Sequence, residues 1–550
     1  MKTALISVYN KEGITDFAKS LVALGWKIIS SGGTAKHLSD AGIPVTDVAE
    51  ITGMPPILSH RVLTLHPKIN GGLLALDTRE HLAELEKYEI PWIDLVCVDL
   101  YPLEEEINKK DATRESVIEK TDMGGVALLR SSAKGRRITV CDFDDREKVI
   151  NWLKNGEENK DEFLNSLAAK TEIIISKYCL LSGKYHSEGT YEGLLGEKKI
   201  ECAYGENAYQ KPASLFVSGV GHPDSGSPDS LAIASWKLVA GSPLSYNNIC
   251  DVDRMIQTMT HIGAGFEKNF SEIPFVAIGA KHGNACGAGI AKVGLWQEAV
   301  DKMLQGDLRA IFGGSVMLNF PVDEKIADEL IHKFSPEGVR RLLDIVAAPS
   351  FSPEAIEILA RKKGKCRILV NPAIEKAGSN SLDFASRFRY VRGGFLTQPN
   401  YTFVPEFDPL LISPLAGGEG ALRDIILAWA VGCTSNSNTI TLVKEGRLYG
   451  NGVGQQDRVG AAKLAIFRAD DAAKFVDPKT EKADLENATA YSDSFFPFPD
   501  APQVLIDRGI KTIFSTSGSV KDEEVAELCK QKGVNLIMLP DSEARGFYQH

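Results

Sequence analysis

Residues 4–38, ALISVYNKEGITDFAKSLVALGWKIISSGGTAKHL, alternate short apolar runs with segments of helical period, and that rhythm sets the fold class. Ala4–Ser7 reads as a strand, Ile14–Leu24 as a helix, Lys27–Ile29 as a strand and Thr34–Leu38 as helix again. The alternation returns at Asp94–Val98, Val126–Lys134 and Arg137–Cys141. Such a sequence builds a mostly parallel, doubly wound α/β sheet with helices on its faces. A long helix is predicted over Ala168–Leu181. After it, GKYHSEGTYEGLLGEKKIECAYGENAYQKP (183–212) replaces helical period with glycine, charge and tyrosine, which puts the main boundary at 196 and gives domains 1–196 and 197–550.

The rest of the chain mixes strand-like runs (Phe275–Gly279, Arg367–Val370, Thr439–Val443) with helical stretches (Leu295–Leu304, Pro353–Arg361, Val459–Arg468). This second α/β region is long enough for two subdomains, divided near residue 375 within Ala373–Ser381, and no internal repeat stands out. At 550 residues the chain exceeds a single core. Its 43% hydrophobic and 25% charged residues are those of an ordinary folded protein. A net charge of -11 disfavours a broad nucleic-acid or anionic-membrane surface, so any phosphate site must be compact. No export signal and no membrane span are expected. The nine cysteines are scattered without a C-x-x-C pair, which fits reduced thiols in a cytoplasm.

Several loops carry chemistry. Ser31-Gly32-Gly33-Thr34 follows a strand and opens a helix, where free N–H groups and the helix dipole hold a phosphate; an ordinary N-capped turn reads the same way. The loop SHRVLTLHPKINGG (59–72) adds Arg61, Thr64, His66 and Lys68, and Asp122-Met123-Gly124-Gly125 precedes a helix with Arg130 and Lys134. Loops at strand ends can converge on one anionic ligand. Further on, Lys281-His282 leave an apolar strand for a glycine-rich loop. A cation beside the imidazole disfavours the imidazolium and keeps His282 available as a base, although a Lys-His pair at a strand end is by itself an ordinary surface feature. His186-Ser187-Glu188 matches H-x-E, but no cysteine pair completes a zinc-deaminase site, so no metal centre of that kind is expected.

In their order along the chain, SVYNKEG, SGGTAKHLSDAGI, RVLTLHP, LYPLEEE, TDMGGVALLRSSAK, AYGENAYQ, LSYNNICDVD, KHGNACG, FGGSVMLN, GQQDRV and SDSFFPFPD resemble one known family, the bifunctional AICAR transformylase/IMP cyclohydrolases. The resemblance spans nearly the whole chain. It implies an N-terminal methylglyoxal-synthase-like domain that cyclises formyl-AICAR to IMP. It also implies C-terminal tandem cytidine-deaminase-like subdomains that pass a formyl group from 10-formyltetrahydrofolate to AICAR. For formyl transfer it assigns His282 as the base, Lys281 as its tuning cation and Asn438 as an orienting group, with Tyr204, Asn248, Gly313, Asp344, Phe496 and Arg545 holding the ribonucleotide or the folate. For cyclisation it assigns Ser7, Lys11, Ser31, Gly33, Thr34, Arg61, Thr64 and Gly124 to substrate binding, and Tyr101, Asp122 and Lys134 to the closing ring. It further implies bound potassium and a cytoplasmic homodimer whose transformylase sites draw on both subunits.

The sequence departs from the family pattern at five positions. Leu63 stands where lysine is usual and Asp99 where asparagine is usual, both bearing on ring closure. Ala203 replaces an arginine, Tyr209 a histidine and Cys433 a lysine in the second half. These losses define an alternative reading, an eroded paralogue that binds a purine ribonucleotide as a sensor.

Overall fold

A computed structural model describes residues 1–58, 61–218, 229–336, 338–408 and 418–549. The chain forms two compact units, Met1–Leu195 and Gly196–His550.

In the first unit, β1 (Thr3–Ser7), β2 (Lys27–Ser30), β3 (Val45–Asp47), β4 (Leu95–Val98) and β5 (Ile138–Val140) form a parallel sheet in the order β3-β2-β1-β4-β5. Its strands are apolar on both faces, as Ala4, Leu5 and Ile6 of β1 show by being fully buried, because helices cover both sides. Strand order reverses direction at β1, so a crevice opens between the carboxyl ends of β1 and β4, the place where α/β sheets bind ligands. The helix expected over 168–181 runs from Lys160 to His186. It continues through Gly183, where the loss of helical period in the sequence predicted its end; one interior glycine costs a helix only about 1 kcal/mol.

The second unit contains a ribbon of β6 (Glu197–Cys202) and β7 (Ala213–Val217), then β8 (Lys237–Ala240), β9 (Phe275–Lys281), β10 (Asn284–Ala291), β11 (Gly314–Leu318), β12 (Leu343–Ala348) and β13 (Arg367–Val370). A second ribbon, β14 (Ser386–Val391) with β15 (Gly394–Pro399), precedes β16 (Ile440–Lys444), β17 (Arg447–Gly452), β18 (Thr489–Ser492), β19 (Thr512–Ser517) and β20 (Asn535–Pro540). Among the described residues, eleven of these strands make one sheet, in the order β20-β19-β18-β16-β17-β10-β9-β11-β12-β13-β8.

That order contains a repeat, as the tandem subdomains implied by the resemblance require, although no internal repeat stands out in the sequence itself. β10-β9-β11-β12-β13 and β17-β16-β18-β19-β20 have the same succession of pairings, antiparallel for the first two and parallel for the last two. The two halves meet where β10 pairs with β17. Each opens with a buried helix, Tyr246–Phe270 or Gly418–Cys433, and each sets a glycine pair against the helix after its hairpin. A Cβ on Gly287 or Gly289 would lie 2.2 or 2.3 Å from the carbonyl oxygens of Met303 and Ala299, and on Gly450 or Gly452 at 2.1 Å from those of Ala465 and Ala461. Only glycine permits that approach.

Candidate active sites

The first unit holds a cavity of about 1090 Å³ at the predicted crevice. Ser7, Lys11, Ser31, Gly33, Thr34, Arg61, Thr64, Tyr101, Asp122 and Gly124 all line it. They arrive on the last residue of β1 and the segments that follow β1, β2 and β4, on the loop between the helices Val48–Thr52 and Pro67–Leu74, and at the start of the helix Gly124–Lys134. The helix Gly32–Asp40 opens at the cavity wall, so its free amides point at whatever binds there. Thr34 ties that helix to β1: its hydroxyl donates to the Val8 carbonyl at 3.0 Å.

Lys134 is the exception. It ends its helix, exposed, and is not among the residues that line the cavity. Ten residues beyond Gly124 at a 1.5 Å rise put it roughly 15 Å along the axis. The resemblance carried it to the ring by motif; the helix carries it away. Ser59 and His60, which open the loop containing Arg61, lie outside the described residues.

Asp99 has structural work in the cavity wall. Its carboxylate accepts from the amide of Tyr9 and, at 3.1 Å, from that of Asn10, which fixes the turn after β1. Burial pushes its pKa up while those amides pull it down. Burial also lowers the Lys11 ammonium, against the attraction of Asp99; that ammonium donates to the carbonyls of Val8 and Tyr9. Asp122 accepts from the Gly125 amide at 2.7 Å, and burial raises its pKa. Burial, reinforced by Asp122, likewise raises the Tyr101 phenol. A carboxyl and a phenol both held toward their neutral forms can exchange protons with a bound ring. Leu63 lines the same cavity and presents only carbon.

The longer helix supplies two residues the sequence reading did not connect to this site. His186 lines the cavity. Tyr178 clamps its floor, accepting from the Asp122 amide at 2.6 Å and donating to the Lys120 carbonyl at 3.1 Å. Lys36 and Lys120 add cations to the wall. No spacing rule links these positions; tertiary packing does.

In the second unit, His282 and Gly283 form a two-residue turn between β9 and β10, with φ of 52° and 73°. Positive φ at both positions is the geometry of a type I′ hairpin, which glycine favours and histidine enters at a cost. Asp251 offsets that cost by accepting from the Gly283 amide at 2.7 Å. Burial raises the Asp251 pKa, while His282 lies close enough to lower it and Asp344 to raise it. Lys281 donates to the Phe312 carbonyl at 2.9 Å, beside Gly313, and its Nζ would lie 3.9 Å from a Cβ there. The turn therefore sets Lys281 and His282 near Gly313, while the Asp344 carboxylate is paired with Arg361 at 2.8 Å.

Asn438 joins them through its loop. Asn284 accepts from the Asn436 amide at 3.1 Å, and Arg254 donates to the Thr434 carbonyl at 2.9 Å. Asn438 itself exchanges backbone bonds with Gln455, to whose carbonyl its side chain also donates at 2.9 Å. The C-terminal segment closes the network. Tyr548 donates its amide to the Ser435 carbonyl, its ring lies between the guanidiniums of Arg254 and Arg387 at 3.6 and 3.8 Å, and its hydroxyl donates to Asp253. Neither Asp251 nor Arg254 was singled out from the sequence, although LSYNNICDVDR contains both.

Other assigned residues are engaged elsewhere. The Asn248 side chain completes a capping box with Ser245. Phe496, 2% exposed, packs with Ile440 and Leu442. Arg545 pairs with Asp541 at 2.5 Å and covers the Phe495 ring. Tyr204 is half-buried, its carbonyl accepting from the Tyr246 amide. Ala203 and Tyr209 are exposed, whereas Cys433 is buried beneath Gly546, its Cβ only 2.8 Å from where a Gly546 Cβ would stand. The C-terminal segment thus packs onto the position where the family carries lysine.

Among known proteins, residues 134–468 match the family described as AICARFT/IMPCHase bienzyme, and residues 13–127 match an MGS-like domain. The chain is 35% identical over 546 residues to the Bifunctional purine biosynthesis protein PurH of Oceanobacillus iheyensis, covering 98% of both chains. It is 36% identical over 543 residues to the protein of that name from Lysinibacillus sphaericus, again covering 98% of both. A solved chain described as "Crystal structure of ForH" is 33% identical, covering 35% of this chain and 100% of that one, with a TM-score of 0.31; nothing rests on so slight a superposition.

Proposed function

Because the chain belongs to the AICARFT/IMPCHase bienzyme family, we propose that its first unit closes the purine ring in the cavity below β1 and β4, while the Lys281-His282 turn of its second unit transfers the formyl group. The protein is a bifunctional enzyme of purine biosynthesis, an AICAR formyltransferase and IMP cyclohydrolase. What supports the assignment of sites is that ten of the residues given by the resemblance line one cavity, and that Lys281, beside the His282-Gly283 turn, reaches the Phe312 carbonyl next to Gly313.

In the second unit the AICAR amine attacks the formyl carbon of 10-formyltetrahydrofolate. The new N–C bond forms as the bond to the folate nitrogen breaks; His282 takes the amine proton, which passes to the released folate nitrogen to give tetrahydrofolate. Lys281 stabilises the negative charge that develops, and Asn438 orients the reacting groups. In the first unit the ends to be joined belong to one molecule, so holding a reactive conformer supplies much of the acceleration. Ser31, Gly33 and Thr34 cradle the phosphate, and Tyr101 and Asp122 move protons at the ring. Lys134 is not carried into this scheme.

The family resemblance is what supports a homodimer whose formyl-transfer site draws on both subunits; within the chain Asn248, Phe496 and Arg545 have other partners. Potassium fits one feature of the second unit. Asp493 is fully buried, with one carboxylate oxygen bonded to Arg458 and the other without a partner, a donor of the kind a hard cation takes. Among the described residues no helix is long and apolar enough to cross a membrane, and every cysteine is free; we place the protein in the cytoplasm.

The test supplies AICAR and 10-formyltetrahydrofolate and follows tetrahydrofolate and IMP separately. His282→Ala is expected to stop tetrahydrofolate release, a loss of about 10²–10⁴, while cyclisation of supplied formyl-AICAR continues. Equal loss of both would sink the two-site assignment. Binding of AICAR without either product would establish the sensor instead.

A further inference from the structure

Four cations line the cavity of the first unit, Lys11, Lys36, Arg61 and Lys120, and they differ in what already holds them. Lys11 donates to two backbone carbonyls. Arg61 is paired with Glu119 on the exposed rim. Lys36 is exposed, on the second turn of the helix Gly32–Asp40. Lys120 is half-buried, and among the described residues it forms no ion pair. Glu106, whose carboxyl the charge of Lys120 helps to lower, is already bonded to Lys109 at 2.5 Å.

Two tyrosines hold the ammonium instead. The Lys120 Nζ lies 5.4 Å from the Tyr9 ring centroid and 5.9 Å from that of Tyr101, and the two rings meet edge to face at 5.6 Å. A cation over aromatic faces is attracted without being neutralised. Its backbone is fixed by the same tyrosine that fixes Asp122, since the Tyr178 hydroxyl bonds both the Lys120 carbonyl and the Asp122 amide. An unneutralised cation is thus set beside Tyr101 and Asp122, in a cavity where Leu63 offers no charge.

We propose that Lys120 is a catalytic cation of ring closure, meeting the oxygen of the formyl group. This rests on the ring-closure reading above. As the carboxamide nitrogen attacks the formyl carbon, the C–N bond forms and the carbonyl electron pair moves to oxygen. Lys120 stabilises that oxyanion; the attacking nitrogen gives up one proton and the formamide nitrogen a second, both passing to the oxygen, and the C=N bond to the formamide nitrogen forms as the C–O bond breaks and water leaves. Ser31–Thr34 hold the phosphate, so the charge of Lys120 is spent at the reacting end.

The experiment measures IMP formation from formyl-AICAR by the full-length protein and its Lys120→Met, Lys120→Arg and Leu63→Lys/Lys120→Met variants. Loss of one preorganised oxyanion partner typically costs about 10²–10³ in kcat. Lys120→Met is expected to fall in that range with KM changed by less than a few-fold and tetrahydrofolate release from AICAR unaffected. Lys120→Arg should retain most of the rate, and the double variant should regain part of it. Cyclisation by Lys120→Met at the unsubstituted rate overturns the proposal alone. Absence of cyclisation by the unsubstituted protein overturns the ring-closure reading and the proposal with it.

Discussion

Among the described residues of the second unit, two β-hairpins turn on a pair of residues at positive φ: His282-Gly283 at 52° and 73°, and Glu445-Gly446 at 52° and 70°. A lysine precedes each turn, Lys281 or Lys444, and a carboxylate from the preceding buried helix accepts from each, Asp251 or Asp424. The backbone solution is the same, and the surroundings are not. Asp424 takes both turn amides, at 2.8 and 2.6 Å, and is itself 7% exposed. Lys444 is spent on Asp484 at 2.7 Å, and the Gly446 carbonyl accepts from the Ile290 amide. At the first turn Asp251 takes only the Gly283 amide, Lys281 reaches a carbonyl beside Gly313, and the loop carrying Asn438 is tied to Asn284. The repeat supplies a rigid turn in both halves. The two turns differ in one turn residue, His282 against Glu445, and in how far their neighbours are already paired.

Giving the first turn the second turn's residue breaks that comparison most directly. His282→Glu should keep the hairpin, since Glu445 already occupies the same φ, and should lower tetrahydrofolate release by about 10²–10⁴ with an unchanged far-UV circular dichroism spectrum. The reverse exchange, Glu445→His, should add no activity. Gain of formyl transfer in the latter would mean that the turn, rather than its surroundings, makes the site.

The two carboxylates separate position from scaffold. A hydrogen bond to a charged partner contributes about 1.5–3 kcal/mol, so Asp251→Ala should cut the kcat of formyl transfer by roughly tenfold or more as the turn loosens. Asp251→Asn, which keeps an acceptor for Gly283, should recover most of that rate. Asp424→Ala should lower the melting temperature while kcat stays within a factor of about two, because its turn carries nothing reactive. A comparable kcat loss in Asp424→Ala would show that the two halves are mechanically coupled.

The same contrast explains what could be read before any coordinates. In the first unit strand and helix alternate in the sequence, and ligand loops lie at the carboxyl ends of parallel strands by topology; Ser31, Thr34, Arg61, Thr64 and Asp122 stand out in such loops, whereas Ser7 and Tyr101 were given only by the family resemblance. Lys134, given by the same resemblance, ends its helix and is not among the residues that line the cavity. In the second unit Lys281-His282-Gly283 and Lys444-Glu445-Gly446 are too short a similarity to announce a repeat, and the apolar patterns around them suit any buried α/β segment. Asp251, Tyr178 and Lys120 act across elements far apart in sequence, through backbone groups or ring faces that leave no motif. Leu63 and Asp99 were visible as departures, but only the cavity shows that Asp99 braces the Tyr9-Asn10 turn and that Lys120 stands in the same wall as Leu63.

The smallest effect concerns the cost of the idle turn. Burial pushes the Asp424 carboxyl up from 3.8 to about 6, against the Gly446 and Glu445 amides and Lys302, which lower it, and with the Glu445 carboxylate, which raises it. The folded chain therefore holds a proton on Asp424 between those two pH values that the unfolded chain has released. Stability falls wherever the folded state binds more protons as pH rises. Asp424 thus favours the fold most at about pH 4 and loses that contribution by about pH 6. Two pH units at about 1.4 kcal/mol each limit the loss to roughly 3 kcal/mol. Asp424→Asn removes the titration. The melting temperature of the unsubstituted protein, minus that of Asp424→Asn, should be larger at pH 4.5 than at pH 7, and a difference independent of pH would show that the carboxylate is not held in the buried state described. If the dependence is found, the second turn keeps an ionised buried carboxylate near neutral pH at a cost to stability and with no catalytic return, as expected of a scaffold element copied along with the rest of the repeat.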